Sequence, residues 1–195
     1  MSEIDVDYYV VSAHKLCGPT GVGFLYGKSE LLEELPPYQG GGEMISSVTF
    51  EKTEYADLPH KFEAGTPNIS GVIGFGAAID YMNNIGFDNI EAHEQELLKY
   101  ATDRLNKTPG IKIYGDQVNK ISVISFNLSN HHPSDIGSIL DQFGIAVRTG
   151  QHCTQPIMDY YKIPGTVRVS LSFYNTKSEI DLLIDALEKA STMLG

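Results

Sequence analysis

Two short stretches of the sequence combine residue types that can do covalent chemistry. The first, SAHKLCGPTG at 12–21, places Lys15 between two apolar segments, 6–11 and 22–27, that we interpret as buried strands. A lysine withdrawn from water holds its proton less firmly, and its neutral amine attacks carbonyl groups. The alternative is a lysine whose charged end reaches from the sheet edge into water. His14 beside it is either a ring that packs on a flat ligand or a structural histidine.

The second stretch surrounds a cysteine. The chain has three arginines, and two of them, Arg148 and Arg168, bracket Cys153 in the segments AVRTGQHC and TVRVSLSFY. Arginine grips a carboxylate at two points, and arginine or histidine neighbours favour the thiolate form of a cysteine. Gln151 and His152 stand directly before the cysteine. The alternative is an ordinary loop cysteine with two surface arginines, and the residues alone leave both interpretations open.

Hydrophobic periodicity and the Gly and Pro signals predict the elements that position these residues. Strands are expected at 6–11, 22–27, 48–55, 111–115, 121–128, 145–150 and 166–174, and helices at 29–35, 71–86, 87–108, 133–144 and 178–194. The alternation in TVRVSLSFY places Val167 and Leu171 on one face of a strand and Arg168 on the other. The loop KFEAGTPNIS, 61–70, ends in residues typical of a helix start.

This order of elements predicts an α/β fold class with a boundary near residue 108. Residues 1–108 would be the tail of a larger sheet and would carry the lysine loop and a linking helix. Residues 109–195 would be a small C-terminal α/β domain that carries the cysteine.

Composition narrows the class of protein. The chain has 195 residues, of which 42% are hydrophobic and 20% charged, as is typical of a soluble globular protein. No apolar run approaches the roughly 18 residues of a membrane span. The net charge of −11, with no cluster of basic residues, argues against nucleic acid and anionic membranes as partners. Without a signal-peptide pattern, we expect a cytoplasmic protein in which Cys17 and Cys153 are free thiols.

Four segments together resemble one enzyme family. SAHKLCGPTGVGFLYG, FEAGTPN, AVRTGQHC and RVSLSFYNT match, in the same order, the C-terminal half of pyridoxal-phosphate enzymes of the class V aminotransferase group. Within that group the chain is most similar to cysteine desulfurases of the SUF type and to selenocysteine lyases. The resemblance runs over nearly the whole chain. It implies the C-terminal part of a fold-type-I enzyme, with the tail of the large-domain sheet followed by a small α/β domain.

The resemblance implies a cofactor site in the first segments. Lys15 would anchor pyridoxal 5′-phosphate covalently. Ser12 and His14 would contact the phosphate end of the cofactor. Thr66 would reach the phosphate bound by the neighbouring subunit of a homodimer. In this family the cofactor does the electronic work and the protein positions it.

The resemblance also implies roles for the last segments. Arg168 would hold the carboxylate of L-cysteine or L-selenocysteine, with Arg148, Gln151 and His152 nearby. Cys153 would take the sulfur as a persulfide and pass it to a small acceptor protein for iron–sulfur cluster assembly. No metal site is predicted.

Two departures from the family pattern matter. Close relatives usually have histidine where this chain has Gln151, which removes any acid–base role that the first histidine would have. Only 14 residues precede Lys15, whereas the family has an upstream half with an aspartate on the pyridine nitrogen and a histidine stacked on the ring. Asp5 and Asp7 are too close to Lys15 in sequence to replace that aspartate. We therefore expect a C-terminal portion that is inactive by itself.

Two other functions remain possible on the sequence. One is a non-catalytic α/β module for assembly or partner binding, which a genuine start at Met1 would favour. The other is a different class V enzyme, an aminotransferase or a kynureninase-like protein. Cys153 argues against the latter, because those reactions need no thiol.

Overall fold

The computed structural model describes residues 4–115 and 119–195 of the chain. They form two compact units, Met1–Ile85 and Gly86–Gly195. The sequence analysis placed a boundary later, near residue 108. The difference arises because the long helix that ends at Lys107 packs with the elements that follow it. No helix in the described part of the chain is both long and apolar enough to span a membrane.

The N-terminal unit contains two separate antiparallel hairpins and two α-helices. Its elements are β1 (Tyr8–Ser12), β2 (Gly23–Gly27), α1 (Ser29–Glu34), β3 (Ile45–Val48), β4 (Thr53–Tyr55) and α2 (Ile69–Ile85). In the first hairpin Tyr8 lies opposite Gly27, and Ser12 lies opposite Gly23. The single strand expected at 48–55 is instead the turn and second strand of the β3–β4 hairpin.

The first hairpin is much more exposed than the sequence suggests. Val10 is 74% exposed and Leu25 is 47% exposed, so the expectation that 6–11 and 22–27 are buried strands is wrong for this chain. The reason is topological: among the described residues β1 pairs only with β2, and the two form a sheet of their own. Phe24 is partly covered because its ring stacks on Phe75 of α2.

The C-terminal unit is one four-stranded antiparallel sheet with helices. Its strands follow the spatial order β5 (Ile111–Tyr114), β6 (Val123–Leu128), β8 (Thr166–Ser170) and β7 (Arg148–Gly150). Its helices are α3 (Phe87–Lys107), α4 (Pro133–Gln142), α5 (Gln155–Tyr161) and α6 (Lys177–Leu194). Helix α5 was not predicted from the sequence.

Helices α3, α4 and α6 cover one face of this sheet and build a continuous hydrophobic core. The core takes alternate residues of β6 and β8, which explains why the period-two pattern in these strands is clear. Phe126 and Val167 lie at its centre, fully buried. Gly137 lets α4 approach the sheet closely, because a Cβ there would lie 2.5 Å from Thr149 Cγ2.

Two strands of the C-terminal unit are at least three residues shorter than predicted, and each has a local cause. The segment 145–150 forms a strand only from Arg148, because Ile145 N donates to Leu140 O and thereby closes the end of α4. The segment 166–174 ends as a strand at Ser170, because a turn begins at Ser172, whose N–H donates to Asn175 Oδ1. The Ser172 hydroxyl donates to the Glu94 carboxylate of α3.

Candidate active site

The lysine loop of the N-terminal unit is a short closed turn between β1 and β2. Ala13–Leu16 forms one turn of 3₁₀ helix, and Cys17 follows it with a left-handed φ of 59°. Ala13 N donates to Val22 O at 3.0 Å, and Gly18 N donates to Ala13 O at 2.9 Å. These bonds join the two sides of the loop and fix the backbone position from which the Lys15 side chain projects.

Close packing on α2 supports the loop from below. A Cβ on Gly18 would lie 2.9 Å from Phe75 Cδ2 and 3.0 Å from Ala13 Cβ, so only glycine fits there without movement. Ala13 is fully buried at this contact, whereas Lys15 is exposed. The lysine is therefore not desolvated within this unit. No hydrogen bond or ion pair to Lys15 Nζ is formed by any residue that the structure describes.

Ser12, His14 and Thr66 lie in the same unit as the lysine. Ser12 ends β1 and is partly buried, and His14 is exposed. Thr66 is exposed in the loop before α2. Asn68 ties that loop to the lysine loop: its Oδ1 accepts from Gly71 N at 3.1 Å, which starts α2, and its Nδ2 donates to Gly21 O at 3.4 Å.

In the C-terminal unit a row of polar residues crosses the sheet face opposite α3, α4 and α6. Tyr114 lies opposite Ser125, Ser125 opposite Arg168, and Arg168 opposite Arg148. Directly opposed residues of antiparallel strands point to the same side, and two like charges there are unfavourable. A bound anion removes that repulsion, so the arrangement suits a carboxylate. Arg168 Nε is buried and has no hydrogen-bond partner in the described part of the chain.

The cysteine lies on a tight turn immediately after β7. Gln151 O accepts a hydrogen bond from Thr154 N at 2.9 Å and another from Thr154 Oγ1 at 2.7 Å. The two residues inside the turn, His152 and Cys153, have φ values of 57° and 63°. This pair of positive angles is the pattern of type I′ turns, which favour Asn and Gly. For other residues each left-handed conformation costs roughly 1–2 kcal/mol.

The thiol of this turn faces an arginine. Arg148 Nη2 lies 3.5 Å from Cys153 Sγ, and both residues are exposed. The exposed Gln151 contributes its backbone carbonyl to the turn. The guanidinium donates to the sulfur at this distance and orients the thiol.

His152 turns inward from the same loop. Its Nε2 lies 2.9 Å from Thr166 Oγ1 and 3.1 Å from Thr166 O. Partial burial lowers the pKa of His152; the hydrogen bond to Thr166 opposes this shift, and the charges of Arg168 and Arg148 add to it. The ring is therefore neutral at pH 7. Its Nδ1 is buried and has no partner among the described residues.

A cavity of about 380 Å³ lies beside this face of the sheet. Its walls include Arg168, His152, Ser125, Thr166 and Tyr114, and Met158 of α5 closes another side. The volume suits a small ligand. Arg168 Nε and His152 Nδ1, both without a partner among the described residues, belong to two of these wall residues.

The donor set of the N-terminal unit suits pyridoxal phosphate. Lys15 provides an amine without a partner for the aldehyde, and Ser12 and His14 provide a hydroxyl and an imidazole close to it in sequence. Thr66 provides a further exposed hydroxyl. The described residues contain no group of three His, Cys, Asp or Glu side chains arranged to hold a metal ion.

The sequence analysis missed two residues of the cysteine-bearing unit. Thr166 holds the ring of His152, and Ser125 lies beside Arg168 in the polar row. Thr166 precedes Arg168 by two positions, so the strand alternation already contained the signal that both share a face. The sequence contained no comparable signal for the turn, because neither of its central residues is a glycine.

Comparison with known proteins matches this architecture. The model of the family described as Aminotransferase class-V matches residues 1–183. A cysteine desulfurase of Escherichia coli K12 is 50% identical over 193 residues, covering 98% of this chain and 47% of the relative. The chain therefore spans about half the length of the curated relatives it matches.

Two solved structures share the fold. The cysteine desulfurase CsdA from Escherichia coli superposes with a TM-score of 0.93 at 41% identity, covering 98% of this chain and 48% of that one. The apo cysteine desulfurase from Thermococcus onnurineus NA1 gives 0.92 at 37% identity, covering 96% and 48%. The predicted fold class and the predicted resemblance are both confirmed.

Proposed function

Because the chain belongs to the class V aminotransferase family, we propose that it is the C-terminal part of a pyridoxal-phosphate-dependent cysteine desulfurase. The observation that carries the proposal is the contact of Cys153 Sγ with Arg148, next to the unpaired Arg168, on the open face of the sheet. The activity belongs to a protein of the relatives' length that contains this chain, called the full-length protein below. We expect the chain by itself to be inactive and to bind the cofactor weakly.

Bound pyridoxal phosphate would act as an electron sink for bonds at the α-carbon of the amino acid. Lys15 would hold it covalently through Nζ, and Ser12 and His14 would contact its phosphate end. Thr66 would contact the phosphate bound by the second subunit of a homodimer. The closed geometry of the lysine loop would keep this amine in one place.

Arg168 would bind the substrate carboxylate. Its Nε is buried without a partner, so an incoming carboxylate would satisfy it and would also relieve the repulsion from Arg148. A charge-assisted, two-point contact of this kind both binds and orients. His152 would keep its ring neutral beside the bound amino acid.

Cys153 would carry out the sulfur transfer. Its thiolate would attack the sulfur of L-cysteine, so that a sulfur–sulfur bond forms while the carbon–sulfur bond breaks. The electron pair of the broken bond would stay with carbon, which takes a proton to give alanine, and Cys153 would keep the sulfur as a persulfide. Arg148 would stabilise the thiolate before the attack.

The fate of the sulfur follows from where Cys153 lies. The thiol is exposed on a turn, so a small acceptor protein in the cytoplasm could reach the persulfide and use it for iron–sulfur cluster assembly. L-selenocysteine is the alternative substrate, because it differs from L-cysteine by one chalcogen atom.

The test is to follow alanine formation from L-cysteine in the full-length protein and to map the added sulfur by mass spectrometry. We expect one extra sulfur atom on the peptide that contains Cys153, and no alanine from Cys153→Ser. Cys17→Ser is the matched control and should retain activity, because Cys17 has no arginine beside it in sequence. Full desulfurase activity in Cys153→Ser would overturn the proposal.

Selenocysteine offers a second measurement on the same variants. Selenium can leave without a thiol acceptor, so Cys153→Ser should lose activity toward L-cysteine and keep activity toward L-selenocysteine. Retained selenocysteine lyase activity would show that removal of sulfur requires Cys153 and that removal of selenium does not.

A further inference from the structure

The turn that carries Cys153 is held in an unfavourable backbone conformation. Two consecutive non-glycine residues, His152 and Cys153, have positive φ values. Such conformations persist only when surrounding contacts determine them. The backbone hydrogen bond that closes the turn, from Thr154 N to Gln151 O, is common to turns with either sign of φ and does not select this one.

The start of the turn is fixed by close backbone packing. Gly150 lies opposite Thr166 in the ladder between β7 and β8. A Cβ on Gly165 would lie 2.8 Å from Gly150 C and O, so the two backbones touch. Asn127 Nδ2 also donates to Gly165 O at 3.1 Å. The chain therefore enters the turn from a rigid point.

One side chain inside the turn, that of His152, forms hydrogen bonds to strand β8. His152 Nε2 reaches both the hydroxyl and the carbonyl of Thr166, which is 1% exposed. Thr166 thus contacts this segment at two places: it pairs with Gly150 in the ladder, and it bonds to the imidazole of His152. With the ring held inward, the next residue, Cys153, points its thiol outward toward Arg148.

We propose that His152 is a positioning residue for Cys153: its hydrogen bonds to Thr166 hold the strained turn in the conformation that places the thiol beside Arg148. The inference deepens the proposed function, because it rests on Cys153 as the reacting group. The measurement below uses neither cofactor nor substrate, so its failure is distinguishable from failure of the desulfurase proposal.

The experiment measures how strongly Arg148 controls the reactivity of Cys153, with and without His152. All variants are made in the full-length protein with Cys17→Ser, and the rate at which iodoacetamide alkylates the peptide that contains Cys153 is measured at pH 7 by mass spectrometry. With His152 present, Arg148→Gln should slow alkylation by roughly twofold to threefold. The loss of this exposed charge contact slows the reaction, and the greater nucleophilicity of the remaining thiolate offsets part of the loss. In the His152→Ala background the same Arg148→Gln change should have no effect.

Two further variants separate positioning from general stability. Thr166→Ser keeps the hydroxyl and the carbonyl, so it should retain the effect of Arg148→Gln, whereas Thr166→Val loses the hydroxyl, one of the two partners of His152 Nε2, and should reduce that effect. His131→Ala, a histidine outside the turn, is the matched control and should leave the effect unchanged. Near-ultraviolet circular dichroism shows whether each variant is folded, so that alkylation rates are compared only between folded proteins.

An unchanged effect of Arg148→Gln in folded His152→Ala would overturn the proposal, because the thiol and the arginine would then meet without the imidazole. The same conclusion would follow if Arg148→Gln had no effect in the protein that retains His152. A merely structural histidine would lower the melting temperature and leave the coupling intact.

Discussion

The two units of this chain carry the two halves of the proposed chemistry on very different supports. Among the residues described, the N-terminal unit buries four apolar side chains, and the C-terminal unit buries twenty-one. The lysine loop is thus supported by few buried side chains, whereas Cys153 and Arg168 belong to a sheet with its own hydrophobic core. Reactive residues need a rigid support, so the difference indicates that the two units depend to different degrees on the rest of a full-length protein.

The exposed hairpin shows where that dependence lies. Val10, Phe24 and Leu25 on β1 and β2 are all exposed by 45% or more. Val10 and Leu25 are opposed in the ladder and therefore share one face, and exposed apolar surface of this kind is typical of an interface. We expect it to be covered in the full-length protein, and we expect the chain by itself to self-associate through it.

The largest expected effect tests the contrast in cores directly. Phe126→Ala removes a fully buried ring from the C-terminal unit and should cost about 3–5 kcal/mol of unfolding free energy. Phe24→Ala, the matched change in the first hairpin, should cost about 1 kcal/mol, because that ring is 45% exposed. Urea unfolding with hydrogen exchange resolved by segment measures both. Equal losses would contradict the contrast.

The second prediction separates the chemical duties of the two units in the full-length protein. Arg168→Ala should weaken transition-state binding by about 2–5 kcal/mol, or roughly 30-fold to several thousand-fold in kcat/KM, with part of the loss in KM. Cofactor content should stay normal, because Lys15 belongs to the other unit, and borohydride should still fix the cofactor on Lys15.

Arg104→Ala provides the control for that arginine. Its guanidinium pairs with Asp181 at 3.2 Å on the helical side of the C-terminal unit, so its loss should leave KM unchanged.

Reduction that fixes the cofactor on another lysine would refute the assignment of Lys15. An unchanged KM in Arg168→Ala would refute the carboxylate role.

A smaller effect probes the lysine loop within its thin unit. Gly18→Ala should destabilise the loop by about 1–3 kcal/mol, because the new methyl group would overlap Phe75 and Ala13. Gly76→Ala on α2 is the matched control. Its Cβ would meet open space, so it should be neutral or stabilise by about 0.5–1 kcal/mol. Hydrogen exchange of 12–21 measures the difference, and equal protection in the two variants would show that the loop does not rely on this contact.

The smallest expected effect is a pH dependence confined to the C-terminal unit. The pKa of His152 is lower in the folded state than in the unfolded state, so the unfolded state binds more protons as the pH falls. The stability contributed by this histidine is present at pH 7 and is lost as the pH falls below the unfolded value of about 6.5. The free energy of unfolding, measured with urea between pH 7 and 5.5, should depend less steeply on pH in His152→Gln than in the protein with His152. The same pH dependence in both proteins would contradict the pKa shift.

Several features of this molecule were determined by the local sequence. The apolar alternation of TVRVSLSFY placed Val167 in the core and Arg168 on the open face, because side chains of a strand alternate regardless of what surrounds it. Asn68 marked the start of α2 because its side chain bonds to the backbone three residues later. The four ordered motifs were specific enough to indicate the family, and their order needs no structure to be recognised.

Other features were decided only by tertiary structure. Apolar residues of β6 are buried whereas those of β1 are exposed, because burial depends on which elements cover a strand and not on its own residues alone. In the left-handed turn at His152 and Cys153, the imidazole contacts Thr166, which lies in the next strand along the chain. Local preferences alone would have placed glycine or asparagine there. The position of the thiol beside Arg148 is therefore a property of the packed sheet and its turn, which a linear sequence does not display.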